Sequence, residues 1–195
     1  MNKPRVRLAL FASGNGTNAE AIMNHFRHHP EVEVILLLSN NPEAFALERA
    51  KKFQVKTSVF TRQEFRDGHV LQQLKEAGAT HIVLAGFLWL IPAELISAFR
   101  DHIVNIHPAL LPKFGGKGMY GSRVHEAVKA AGDTQTGITI HLVNERYDEG
   151  RILFQAECEV LSSDTPDTIA AKVHALEYKH YPTVIEQWCL RRQPS

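Results

Sequence analysis

Three stretches of this sequence carry residue types that could do chemistry together. The first is Gly14-Asn15-Gly16-Thr17-Asn18, which follows an apolar run and opens a helical pattern. Glycines let the backbone turn tightly and approach a ligand, and a helix N-terminus offers unpaired N–H groups to an anion. A phosphate fits that combination, although the same glycines also suit a plain turn between strand and helix. The stretch lacks both the G-x-G-x-x-G fingerprint and a Walker A lysine, so neither a dinucleotide nor a nucleoside triphosphate is indicated. The second stretch is Asn105-Ile106-His107-Pro108, at the end of an apolar run. Alternation puts Asn105 and His107 on one side of a strand. There an amide could donate to a developing oxyanion and an imidazole could move a proton near neutral pH. The third is Asp148, in the charged loop Asn144-Glu145-Arg146-Tyr147-Asp148-Glu149-Gly150. A carboxylate beside an imidazole orients it and favours its charged form. A solvated loop aspartate and a hydrogen-bonded structural histidine are the plainer readings of the same residues.

Other residues carry weaker signals. Gly86-Phe87-Leu88-Trp89-Leu90-Ile91-Pro92 could line a flat apolar slot or belong to the core. His141 lies inside an extended run and reads as structural. His174 and Glu177 are i, i+3 neighbours on the last helical pattern. Four glycines within Gly115–Gly121 leave little to hold that loop, which reads as a lid.

These residues need a scaffold that brings them together. Apolar runs at Val6–Ala12, Val32–Leu38, Val55–Val59, Ile82–Ala85 and Ile103–Asn105 read as five strands. Helical patterns fall at Ala19–Arg27, from Asn41-Pro42 to Lys52 and from Thr61 to Glu76. Strands alternating with helices call for a doubly wound, mostly parallel α/β sheet, which binds ligands beyond the carboxyl ends of its strands. Gly137–Val143 and Arg151–Val160 add an antiparallel C-terminal extension. Asp164-Thr165-Pro166 then opens a long helix toward Arg192, with a break expected near Pro182. No linker or repeat interrupts the pattern, so residues 1–195 read as one domain.

Composition narrows the class of function. Lys and Arg number 22 against 21 Asp and Glu, and no basic run is long enough for a nucleic-acid footprint. The apolar run after Met1–Arg7 is too short for a signal peptide or a membrane span. Cys158 and Cys189 form neither a disulfide framework nor a metal-ligand pattern, which favours a reducing cytoplasm.

The glycine loop, Leu84-Ala85-Gly86-Phe87, the run Asn105–Lys113, and His141 with Asp148 together resemble the phosphoribosylglycinamide formyltransferases, within the folate-dependent formyltransferase superfamily. The resemblance extends from Val6 to about Trp188. It implies the formyltransferase fold and transfer of a formyl group from 10-formyltetrahydrofolate to the amine of glycinamide ribonucleotide, with no metal. It implies Asn105, His107 and Asp148 as the catalytic set. The phosphate falls to Gly16, Thr17 and Asn18, within the wider loop from Gly14 and Asn15, and the ribose hydroxyls to Glu177. Folate contacts fall to Arg62, to Leu88, Trp89, Leu90 and Ile91, and to Asn144, Glu145, Arg146 and Tyr147. The implied partners are these two small molecules, without nucleic acid or membrane, in a cytoplasmic monomer or homodimer. Two departures stand out: Trp89 replaces an arginine common in bacterial relatives, and the loop Phe114–Ser122 is longer and richer in glycine. A formyltetrahydrofolate hydrolase and a non-catalytic nucleotide-binding module are the alternatives.

Overall fold

The computed structural model describes residues 6–191. Residues 1–5 and the expected helix end at Arg192 lie outside them. The elements run β1 (Val6–Phe11), α1 (Thr17–Phe26), β2 (Val32–Ser39), α2 (Phe45–Lys52), β3 (Lys56–Val59), α3 (Arg62–Arg66) and α4 (His69–Ala77). They continue with β4 (His81–Leu84), α5 (Ala93–Ala98), β5 (Ile103–His107), α6 (Ser122–Ala131), β6 (Gln135–Leu142), β7 (Ile152–Glu159) and α7 (Pro166–Cys189).

The strands form one sheet in the order β3-β2-β1-β4-β5-β6-β7. Pairing is parallel from β3 through β5 and antiparallel from β5 through β7. Alternation along β1 explains why both faces are covered. Leu8 and Leu10 enter the core cluster beneath α1, α2 and α7. Ala9 and Phe11 enter the opposite cluster, with Phe65, Leu74 and Leu95 from α3, α4 and α5. Leu8, Leu10 and Phe11 have no exposed surface, and each such side chain contributes roughly 1.5–3 kcal/mol through burial. The β6–β7 pair needs a glycine, because a Cβ on Gly137 would lie 1.9 Å from the Ala156 carbonyl oxygen.

The sequence of crossovers reverses between β1 and β4, opening a crevice beyond their carboxyl ends. Tyr181 of α7 braces this region from below, its hydroxyl donating to the Leu84 carbonyl at 2.8 Å.

Three helical expectations need correction. The 61–76 pattern is two helices, because Gly68 sits at φ 87° between them. The second helix begins at Phe45 rather than at Pro42. The last helix runs through Pro182 without a break: its amide hydrogen bond is given up, but the apolar face it shares with Tyr181, Val184 and Ile185 remains buried.

Candidate active site

A cleft of about 790 Å³ lies at the crevice. The loop after β1 forms one end. Gly16 caps α1 in the left-handed region at φ 74°, and a Cβ there would lie 2.4 Å from that of Ala46. Only glycine allows α2 to pack so closely beneath the turn. Gly14, Asn15, Gly16, Thr17 and Asn18 all line the cleft.

From this loop Asn18 reaches α7. Its Nδ2 donates to Glu177 Oε2 at 2.9 Å, and His174 Nδ1 lies 3.0 Å from the same oxygen. Glu177 is buried, and a buried carboxylate needs such donors. The hydrogen bond to Glu177 holds the pKa of His174 above its ordinary value. His125 of α6 lies behind them, its ring centre 6.4 Å from that of His174, and its Nδ1 is buried without a hydrogen-bond partner.

At the end of β5, Asn105 and His107 line the cleft together, and Asp148 reaches them from the β6–β7 loop. Asp148 adopts φ 57°, a left-handed conformation uncommon for a residue with a side chain. The Gly116 N–H donates to its Oδ2 at 3.0 Å. That oxygen lies 3.5 Å from His107 Nδ1, and Oδ1 lies 3.5 Å from His141 Nε2. Burial opposes ionisation of Asp148, yet the contacts from His141, His107 and Gly116 together hold its pKa below the usual carboxylate value.

The carbonyl partners dictate where the imidazole protons sit. His107 Nε2 lies 2.7 Å from the Phe114 carbonyl, which only an N–H can satisfy. His107 Nδ1 therefore faces Asp148 and is the atom that gains a proton when the ring charges. Burial lowers the His107 pKa, partly offset by Asp148 and the Phe114 carbonyl. His141 Nδ1 lies 2.9 Å from the Leu142 carbonyl, so its Nε2 accepts from Asn105 Nδ2 at 3.2 Å. That bond uses one of the two amide hydrogens of Asn105 and leaves the other for a ligand oxygen.

His141, read from sequence as structural, thus accepts from Asn105 and stands beside Asp148, its Nε2 3.5 Å from Oδ1. The signal was the antiparallel register, which pairs Asn105 with His141 across β5 and β6 and is not visible in either strand alone.

Leu88, Trp89, Leu90 and Ile91 line the opposite wall with Asn144, Arg146 and Tyr147. Glu145 is exposed outside the lining. Arg62 is also outside it, stacked with Cζ 4.5 Å from the centre of the Trp89 ring. Trp89 packs in turn against Phe60, Phe65 and Phe87. Among the described residues no group of three or more His, Cys, Asp or Glu side chains could hold a metal ion, and no helix is long and apolar enough to cross a membrane.

Residues 6–185 match the family described as formyl transferase. The chloroplastic phosphoribosylglycinamide formyltransferase of Arabidopsis thaliana is 41% identical over 96% of this chain and 67% of its own length. The phosphoribosylglycinamide formyltransferase of Bacillus subtilis is 36% identical over 93% of both. Among solved structures, that of phosphoribosylglycinamide formyltransferase from Bacillus halodurans superposes with a TM-score of 0.87 at 35% identity, covering 96% of this chain and 97% of that one. The Brucella melitensis structure gives 0.86 at 34% identity, covering 98% and 99%. By sequence and by fold, this chain belongs to the formyl transferase family.

Proposed function

We propose that this protein formylates the amine of glycinamide ribonucleotide, a step of purine biosynthesis, with 10-formyltetrahydrofolate as the formyl donor. The observation that carries the reading is the set Asn105–His141–Asp148–His107, at one cleft with the glycine loop that opens α1. A non-catalytic binding module would have no use for that assembly.

The loop from Gly14 to Asn18 receives the phosphate, and Glu177 accepts from the ribose hydroxyls. The folate lies along the wall from Leu88 to Ile91 and beneath Asn144–Tyr147. The substrate amine attacks the formyl carbon, forming a carbon–nitrogen bond and placing negative charge on the formyl oxygen. Asn105 donates its remaining amide hydrogen to that oxygen. As charge develops, His107 takes up at Nδ1 the proton lost from the attacking amine and holds it until the leaving nitrogen accepts it, because the oxyanion and Asp148 both favour the imidazolium. The tetrahedral species collapses by breaking the bond to folate N10. The proton lost from the amine leaves with that nitrogen, and Asp148 is placed to order a water that relays it. The reading locates the enzyme in a reducing cytoplasm, in keeping with its free Cys158 and Cys189.

The test is formyl transfer followed by absorbance and product mass, beside a reaction without the amine. Formylated ribonucleotide formed only when the amine is present supports the reading. Equal loss of formyl-folate without the amine identifies a hydrolase instead.

A further inference from the structure

The glycine loop is gripped from outside the cleft by one side chain, Arg49 of α2. Arg49 Nε donates to the Asn15 backbone carbonyl at 2.8 Å, and Nη2 donates to the Asn15 side-chain Oδ1 at 2.9 Å. Its Nη1 pairs with Glu20 of α1, and its Cζ lies 4.9 Å from the centre of the Phe45 ring. All three guanidinium nitrogens are engaged, and the side chain is only 16% exposed. Arg49 does not line the cleft, whereas Asn15 does.

A guanidinium has donors and no acceptor, so it can face only the oxygen end of an amide. The contact therefore decides which way the Asn15 side chain is turned. With Oδ1 committed to Arg49, the two N–H groups of Nδ2 remain, beside the unpaired N–H groups at the start of α1. A freely turning amide would offer an anion its oxygen as readily as its nitrogen, and the oxygen repels phosphate.

We propose that Arg49 is a positioning residue for recognition of the substrate phosphate, acting by locking the Asn15 amide with its Nδ2 donors toward the cleft. This rests on the reading of the loop as the ribonucleotide phosphate site. Arg49 also adds a fixed positive charge behind the loop, partly balanced by Glu20. The bond to the Asn15 backbone carbonyl stabilises the turn whatever occupies the cleft, whereas the bond to Oδ1 has a consequence only for a ligand that accepts hydrogen bonds.

Calorimetric binding of glycinamide ribonucleotide and steady-state kinetics on the full chain distinguish these roles. Asn15→Leu removes the donors without adding charge and keeps the bond from Arg49 Nε to the backbone. Asn15→Asp keeps an acceptor for Arg49 and replaces the donors with an anion. Loss of a charge-assisted hydrogen bond predicts a Kd and KM for the ribonucleotide raised about tenfold in Asn15→Leu and further in Asn15→Asp. The KM for the folate changes less than that for the ribonucleotide, because this loop is read as the phosphate site and not as part of the folate wall. Arg49→Lys, a point donor unable to hold both oxygens, gives a smaller loss of ribonucleotide affinity in the same direction.

Unchanged ribonucleotide affinity in Asn15→Leu and Asn15→Asp overturns the proposal. Weakened binding in these two with none in Arg49→Lys assigns Asn15 to the phosphate but removes Arg49 from the role, which also overturns it. A wild-type protein that binds the ribonucleotide without formylating it leaves this proposal standing and defeats the reading of the activity. One that binds no ribonucleotide defeats both.

Discussion

Asp148 Oδ2 lies 3.5 Å from His107 Nδ1, the one nitrogen of that ring not committed to a carbonyl. The pair joins the end of β5 to the loop after β6, and each side chain is nearly buried. A carboxylate at this place raises the proton affinity of an imidazole whose pKa burial lowers.

Asp148→Asn keeps the shape and removes the charge. We expect kcat to fall by about a hundredfold or more, the usual scale for losing support of an acid–base group. The His107 pKa, already depressed, falls further, because the contact that raises it is gone. Proton titration of the His107 ring by NMR checks the pKa, and single-turnover kinetics check the rate. An unchanged His107 titration would disprove the electrostatic coupling.

Glu177→Gln tests the other end of the cleft. The hydrogen bond to Glu177 is the main reason His174 titrates above its ordinary value. The variant should lower the His174 pKa and raise the KM for the ribonucleotide by roughly tenfold, the cost of one hydrogen bond to a charged partner. Asn18 keeps an acceptor in the glutamine oxygen, so thermal stability should change little. A ring titration of His174 that does not move would show that the contact is absent in solution.

Trp89 places an aromatic face where the family resemblance leads one to expect arginine. Arg62 stacks on it outside the cleft, a contact worth ~0.5–1 kcal/mol at an exposed site. Trp89→Ala removes the cleft wall together with this support for Arg62, and we expect a raised KM for the formyl-folate with the ribonucleotide KM unchanged. Trp89→Phe, which keeps a ring against Phe60, Phe65 and Phe87, should recover most of the affinity. Equal folate KM values in all three proteins would show that the ring is structural only.

Part of the acid sensitivity should originate far from the cleft. His81 lies at the start of β4, with its ring centre 4.6 Å from that of His102 and 5.0 Å from that of Trp188. Burial, and secondarily His102, lower its pKa from 6.5 to about 4. The unfolded chain therefore binds a proton on this group between those values while the folded protein does not. Stability is complete above pH 6.5 and declines as pH falls toward 4, by up to about 3 kcal/mol. His81→Phe keeps an aromatic contact and removes the proton site. Its urea midpoint should change less between pH 7.5 and pH 4.5 than that of the wild type. Identical pH slopes would rule His81 out as the source.

Local chemistry made much of this protein legible in its sequence. The strands declared themselves because apolar runs of that length, alternating with helical periodicity, have few other ways to bury themselves. Asn105 and His107 shared a side by the two-residue period of a strand, and Gly16 marked a turn that a side chain would obstruct. Pro182 misled, because a proline's local preference for ending a helix was weaker than the apolar packing around Tyr181 and Ile185.

Tertiary structure decided what depended on register and on side-chain direction across distant segments. His141 became part of the site only through its pairing with Asn105 across two antiparallel strands. Asp148 was one loop carboxylate among several until its left-handed backbone and the Gly116 amide turned it toward both imidazoles. Arg49 carried no signal at all, since a basic residue on an amphipathic helix is ordinary until its partner is seen to be the Asn15 amide. Residue type and spacing along one chain constrain the elements, but the hydrogen bonds that select a tautomer or turn an amide form between elements, and only their packing determines which donors meet which acceptors.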